Sequence, residues 1–311
     1  MELPYHLVGS IPMRYSRKDR ATSIILVLPT LFAMFIFIYG FIGFTGYASL
    51  SNWKKLKPDF SFVGFENYVK LFENQRFIID MRNTFTFTVL FLIATILLGF
   101  FLAVLLEQKI KGESIFRNIF LFPMALSYIV TGVVWRWLLS PGTTTTGAQG
   151  VNLLFEMVGL GFLKNGWYTD PNIGIRAVVI AATWQMAGYV MALYLAGMRG
   201  IPEELKEAAR VDGANEIDVY RFIIIPLLSP ITLSAVIILG HMSLKIYDLV
   251  VSMTGPGTGF STDVPALFMF DTTFRGNRFA QGSSIAMVLL AMVAVLVIPY
   301  LVSSYKKEVE R

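Results

Sequence analysis

Six apolar runs, each at least twenty residues long, recur along this chain, and its charged residues are gathered mainly in the gaps between them. The runs cover residues 23–44, 85–106, 119–139, 173–198, 222–248 and 283–302. A helix on the surface of a soluble protein keeps a polar stripe for water, and these segments have little to offer as one. Only 15% of the 311 residues are charged and 55% are hydrophobic, against roughly a quarter charged in ordinary soluble domains. In lipid, backbone N–H and C=O groups must be satisfied within the segment, so runs of this length imply helices. The expected fold is an all-α membrane protein with six transmembrane helices and both termini on one side.

The basic residues orient that bundle. With a cytoplasmic N-terminus, fourteen of the 26 Lys and Arg residues fall in cytoplasmic segments and ten in outer ones, the bias expected of short loops. The layout is then a cytoplasmic tail at 1–22, a transmembrane domain at 23–305 with a cytoplasmic loop at 199–221, and a cytoplasmic tail at 306–311. The first run is too long for a cleavable signal peptide and predicts an uncleaved anchor. Residues 46–81 predict a short ordered outer cap, and 151–158 a short interfacial helix.

Several function classes are excluded or disfavoured. The absence of cysteine rules out disulfides and thiolate chemistry, and His6 and His241 are too few for a histidine metal cluster. The net charge of +5 flanks the apolar runs and forms no continuous stripe, which argues against nucleic acid. No Gly-x-x-x-x-Gly-Lys-Ser/Thr phosphate loop occurs, so any ATP must be hydrolysed elsewhere. A membrane enzyme would need a partner for His241, and none is apparent. A secondary transporter would normally show internal repeats or broken mid-membrane helices, which the sequence does not clearly announce.

The loop at 199–221 carries the strongest local signals. Pro202 suits the first turn of a helix, and Glu203 and Glu204 lie where the helix dipole favours acid. That helix should run to about Asp212. Gly213 then permits a sharp turn, and 214–222 can form a second short helix before Pro226. The result is a helix-turn-helix elbow beyond the membrane. Leu205, Ala208 and Ala209, with Glu207 beside them, offer a small apolar face and one carboxylate for docking. An amphipathic helix lying on lipid headgroups is the competing reading.

The elbow reads Glu207-Ala208-Ala209, then Gly213, then Ile223-Ile224-Ile225-Pro226. This resembles the signature of the permease subunits of binding-protein-dependent ABC importers, departing from it only by Ile225 in place of Leu. The resemblance extends along nearly the whole chain. Residues 62–68 (Phe-Val-Gly-Phe-Glu-Asn-Tyr), 82–84, 245–249 and 254–257 look like the maltose and glycerol-phosphate type of first permease subunit. Within that type, 240–248 looks most like glucose or mannose importers.

The resemblance implies a coupling helix in a cleft of an ATPase subunit, with Glu207, Ala208, Ala209, Gly213 and Pro226 as its signature residues. It also implies the partners: a second, related permease, two ATPase subunits that bind ATP and Mg, and an external sugar-binding protein. This chain would need no cofactor of its own and would sit in a prokaryotic cytoplasmic membrane. A permease for a non-sugar solute such as glycerol 3-phosphate is the alternative within the family.

Charged residues within the spans are candidates for a solute pathway, and they are Arg136, Lys245 and Asp248. In one continuous helix His241, Lys245 and Asp248 would share a face, with His241 about 22 Å and Lys245 about 28 Å above Pro226. A snorkelling Lys245 paired with Asp248 is the purely structural reading, and Arg136, near the end of its span, is read as structural. Trp184, Gln185 and Tyr189 offer rings and an amide suited to a sugar. By resemblance Tyr189 matches a sugar-contacting tyrosine of maltose permeases, while Ala182 replaces one of their asparagines.

Overall fold

The computed structural model describes residues 17–108 and 110–309, and side chains within 22–302. The tail residues 1–16, Lys109 and residues 310–311 lie outside the described residues. Two compact units divide between Tyr47 and Ala48.

In the first unit, α1 (Arg17–Met34) passes through a π-helical stretch (Phe35–Gly40) into α2 (Phe41–Ser49), whose last two residues belong to the second unit. Thr22–Ser49 is a 28-residue, mostly apolar helical stretch, about 42 Å at 1.5 Å per residue and long enough to cross a bilayer.

The second unit opens with an ordered cap. Buried Asn67 donates through Nδ2 to the carbonyls of Ser49 (2.9 Å) and Ser51 (2.8 Å), fixing α3 (Glu66–Phe72) against the chain that precedes it. Asn74 then starts α4 (Gln75–Glu107), its Oδ1 accepting from the backbone N–H of Arg76 (2.9 Å) and Phe77 (3.4 Å). This N-cap places the start ten residues before the expected 85. At 33 residues, α4 is about 50 Å long and outreaches the hydrocarbon core at its ends.

The expected span at 119–139 is broken. It is made of α5 (Glu113–Leu121), a 3-10 turn (Phe122–Ala125) and α6 (Tyr128–Leu138), with a bend of 100° between the two arms. Pro123 has no N–H to continue the ladder, and the Ser127 hydroxyl restarts it by accepting from the Val130 N–H at 3.3 Å. The next helices are α7 (Gly150–Met157), where a short one is expected, and α8 (Gly174–Arg199). The break rests on α8. Gln185 Nε2 donates to the stranded Leu126 carbonyl at 2.8 Å, and Gly188 packs so close to the Phe120 carbonyl that a Cβ would overlap it.

The remaining helices are α9 (Glu203–Val211), α10 (Glu216–Val219), α11 (Ile225–Leu227), α12 (Ser229–Leu244), α13 (Asp248–Met253), α14 (Pro265–Phe270) and α15 (Phe279–Val309). The expected run at 222–248 is not one helix. It bends by 61° between Leu227 and Ser229, next to Pro226 and Pro230, and unwinds at Lys245–Tyr247 before α13 begins. Four helices are long and apolar enough to cross a membrane, six if each bent pair counts as one span, and no strand is formed among the described residues.

The core is centred on α8. Ala177, Ala181, Ala182, Ala187 and Gly188 are buried there, small enough for neighbouring helices to approach closely. From α4 come buried Phe87, Phe91, Ala103 and Leu106.

Polar side chains hold the far end of α4. Arg76 donates through Nε to Asp263 at 2.5 Å and through a terminal nitrogen to Asp271 at 2.8 Å. Its guanidinium lies over the rings of Phe260 (4.9 Å) and Phe268 (4.6 Å). Asp80, one turn along α4, is fully buried, and neither carboxylate oxygen has a hydrogen-bond partner among the described residues.

Candidate functional site

Two features stand out, at different levels of the second unit: the elbow and a cavity. The elbow is a capped hairpin of α9 and α10. Glu203 and Glu204 occupy the first turn of α9 behind Pro202. After Asp212, Gly213 takes φ +89°, a conformation that favours glycine. Two bonds close the turn, Ala214 N–H to the Ala209 carbonyl at 3.0 Å and Gly213 N–H to the Arg210 carbonyl at 3.1 Å, the pairing of a Schellman cap. Asn215 then starts α10 with a reciprocal capping box. Its Oδ1 accepts from Asp218 N–H at 3.0 Å, and its own N–H donates to the Asp218 carboxylate at 3.4 Å.

Within this frame Leu205, Glu207 and Ala208 are exposed, and Ala209 is half-buried against the core. Val211 and Ile217 are 87% and 77% exposed. Glu207 makes no ion pair with the described residues. Pro226 lies beyond the hairpin in α11, after a π-helical stretch at Tyr220–Ile224.

The residue that sequence reasoning missed is Lys206. It is buried, with Nζ 2.9 Å from Glu107 Oε1, at the end of α4, and 3.2 Å from Glu203 Oε2. Arg210 extends the chain of charges, 3.6 Å from Glu203 and 2.8 Å from Glu216. The spacing of Glu203 and Lys206 is a readable helical pair, but nothing local points to Glu107.

The cavity, of about 310 Å³, opens where α12 gives way to α13. Phe87 and Phe91 of α4, Tyr128, Ala182 of α8, and the unwound Lys245, Ile246 and Tyr247 line it, with Asp248 beside them. Because the helix breaks at this point, His241, Lys245 and Asp248 do not form the expected stripe on one helix. Lys245 ends α12, Tyr247 has φ −135°, and Asp248 opens α13. The 61° bend near Leu228 also removes the straight climb from Pro226 that put His241 and Lys245 at fixed heights.

Of the candidate pathway residues only Lys245 and Asp248 line the cavity. His241 is half-buried a turn earlier, its Nδ1 3.3 Å from the Ile238 carbonyl. Gln185 serves the broken span, Trp184 meets Trp135 edge-on at 5.9 Å, and Tyr189 packs against the core. Arg136 is exposed in the last turn of α6, where a cation suits the helix dipole. The aromatic walls, Phe87, Phe91, Tyr128 and Tyr247, were not foreseen, since their convergence depends on two helix breaks.

Residues 95–310 match the family described as the binding-protein-dependent transport system inner membrane component. A probable ABC transporter permease protein of Pyrococcus horikoshii is 42% identical over 285 residues, covering 92% of this chain and 96% of that protein. The xylose/arabinose import permease protein XacH of Haloferax volcanii is 34% identical over 278 residues, covering 88% and 85%. In fold, the chain resembles a chain from the crystal structure of a bacterial ABC transporter involved in the import of the acidic polysaccharide alginate. The TM-score is 0.77 at 22% identity, covering 93% of this chain and 96% of that one. By the extent of the family match and the identity to these permeases, this chain belongs to the binding-protein-dependent transport system inner membrane components.

Proposed function

We propose that this chain is the non-catalytic transmembrane subunit of an ATP-driven, binding-protein-dependent sugar importer, and that its elbow is the docking surface for an ATPase subunit. The observation that carries the reading is the elbow's free face. Leu205, Val211 and Ile217 are 47%, 87% and 77% exposed on a short hairpin whose turns are fully capped. Large apolar side chains held rigidly in the open fit a partner's groove. Exposed Ala208 permits close approach, and Glu207 is free to meet a partner cation.

In this reading each bent pair is one span. Six spans put both termini and the elbow on the cytoplasmic side, with tails at 1–22 and 306–311 and the coupling loop at 199–221. Two ATPase subunits, binding ATP and Mg, close on the elbows of this chain and of a related second permease and turn the spans from inward-open to outward-open. A binding protein delivers the sugar from outside. The cavity's rings suit the C–H faces of a sugar, and Lys245 and Asp248 its hydroxyls. Trp184, Gln185, Tyr189 and His241 then support the pathway from behind its wall. A carbohydrate cargo is favoured by the relative named as a xylose/arabinose importer; glucose or mannose is the finer reading from residues 240–248.

The test is uptake by the reconstituted complex in phospholipid vesicles, with labelled xylose, arabinose, glucose, mannose and glycerol 3-phosphate as probes. ATP-dependent uptake of a sugar is expected. Uptake of glycerol 3-phosphate alone would make the chain a non-sugar permease, and uptake on an ion gradient without ATP would make it a secondary transporter. Ile217→Asp, at an exposed site, should weaken ATPase association at least about tenfold, equivalent to about 1.4 kcal/mol. Unchanged association and uptake in that variant would refute the docking surface.

A further inference from the structure

Lys206 is out of character for its position. Most of α9 is exposed, yet the Lys206 side chain keeps only 6% of its accessible surface. A lysine ordinarily carries its ammonium out to water. This one turns inward, between Glu107 and Glu203. Burial works against its charge, but hydrogen bonds to the two carboxylates prevail and hold its pKa above the ordinary lysine value. The ammonium therefore keeps its charge between them.

Its place in the fold gives the pair a consequence. The elbow is continuous with α8, which ends at Arg199, and runs on through α10 and α11 towards α12. These helices supply Ala182, Met242 and Ser243 to the cavity. The remaining long wall is α4, with Phe87 and Phe91, and α4 is separated from the elbow along the chain by the whole of α5 to α8. Packed helices can slide past one another in small shear steps. An ion pair with one buried partner resists such sliding, because parting it costs Lys206 one of its two carboxylates and leaves Glu107, 22% exposed, without its cation.

We infer that Lys206 is a positioning residue that locks the elbow to α4 through Glu107, so that displacement of the elbow moves the α4 wall of the cavity. The inference rests on the reading of the elbow as the ATPase dock. Glu203, Arg210 and Glu216 continue the same line of charges to α10, and the Schellman turn at Gly213 joins the two helices of the hairpin.

The chain has no cysteine, so one introduced thiol is the only one in this subunit, and its label is read on this subunit's band. Thr88→Cys lies on α4 beside the cavity, at a position whose hydroxyl is 2.9 Å from Ser243 Oγ. In the full complex in phospholipid vesicles, its maleimide alkylation rate is compared between the nucleotide-free and the ATP–vanadate-trapped states. Lys206→Met should shrink the ATP-dependent change at least about fivefold, the lower end of typical coupling, while the ATPase subunit stays bound and active. Lys206→Arg, or the exchange Lys206→Glu with Glu107→Lys, should restore the change, which a merely structural lysine would not require.

Four results would overturn the inference: no ATP-dependent change at Thr88→Cys in the otherwise unaltered complex, an undiminished change in Lys206→Met, failure of both rescues, or loss of the ATPase from Lys206→Met. Loss of the ATPase from Ile217→Asp together with an undiminished change in Lys206→Met would refute the tie and leave the dock in place, whereas retention of the ATPase by Ile217→Asp would refute the dock and with it the inference that rests on it.

Discussion

Replacing Arg76 with alanine is expected to loosen the far end of α4 from the 260–271 segment. Arg76 bonds Asp263, whose side chain is fully buried, and Asp271, which is 17% exposed. At about 4 Å between charge centres and an effective dielectric of about 20, each pair contributes about 4 kcal/mol of attraction. Removing three charges from water costs several kcal/mol apiece, so the intact cluster is worth far less than that sum. Deleting the cation alone is another matter, because buried Asp263 is left beside buried Asp80 with its cation gone, while Asp271 keeps Arg275 at 2.9 Å. A loss of about 3–5 kcal/mol follows, with about 1 kcal/mol more from the contacts with Phe260 and Phe268. Arg76→Lys should recover only part, since a point charge cannot bridge both acids and stack on two rings. The assay is unfolding of the purified chain in an SDS titration. In the double variant with Asp263→Asn, the coupling energy should be at least about 1 kcal/mol. A change within about 0.5 kcal/mol of wild type for Arg76→Ala, the range of an ordinary surface substitution, would refute the reasoning.

Gln185→Leu should cost about 1–3 kcal/mol in the same titration, because it strands the half-buried Leu126 carbonyl at the bend within 119–139; a neutral result would show that the bend does not depend on α8. Lys245→Ala and Asp248→Asn, both exposed at the cavity, should lower uptake by reconstituted vesicles while leaving the unfolding midpoint in place; loss of stability without loss of uptake would make them structural.

The elbow was legible in advance because its determinants are local. Pro202 starts a helix, Gly213 supplies the positive φ, and the Ala209 and Arg210 carbonyls that close the turn lie within five residues of it. The reciprocal Asn215 and Asp218 cap was equally local and was overlooked. The third and fifth spans misled for the opposite reason. Hydropathy along 119–139 and 222–248 gives little sign of a break, since the residues at the bends remain mostly apolar and a proline can kink a helix without ending it. At the first bend the Val130 N–H goes to the Ser127 hydroxyl, so the Leu126 carbonyl needs another donor, and that donor is Gln185, 59 positions away. The stripe of His241, Lys245 and Asp248 failed with the helix it assumed.

Residence in the membrane, helical character and the elbow follow from run length, charge placement and near-neighbour spacing, and each of these can be read along the chain. Where the spans break, which rings meet around the cavity, and which charges pair do not follow in that way. Lys206 finds Glu107 at a separation of 99 residues and Arg76 finds Asp263 at 187. A buried charge is tolerable only beside its counter-charge, and the packing of distant helices decides which one that is.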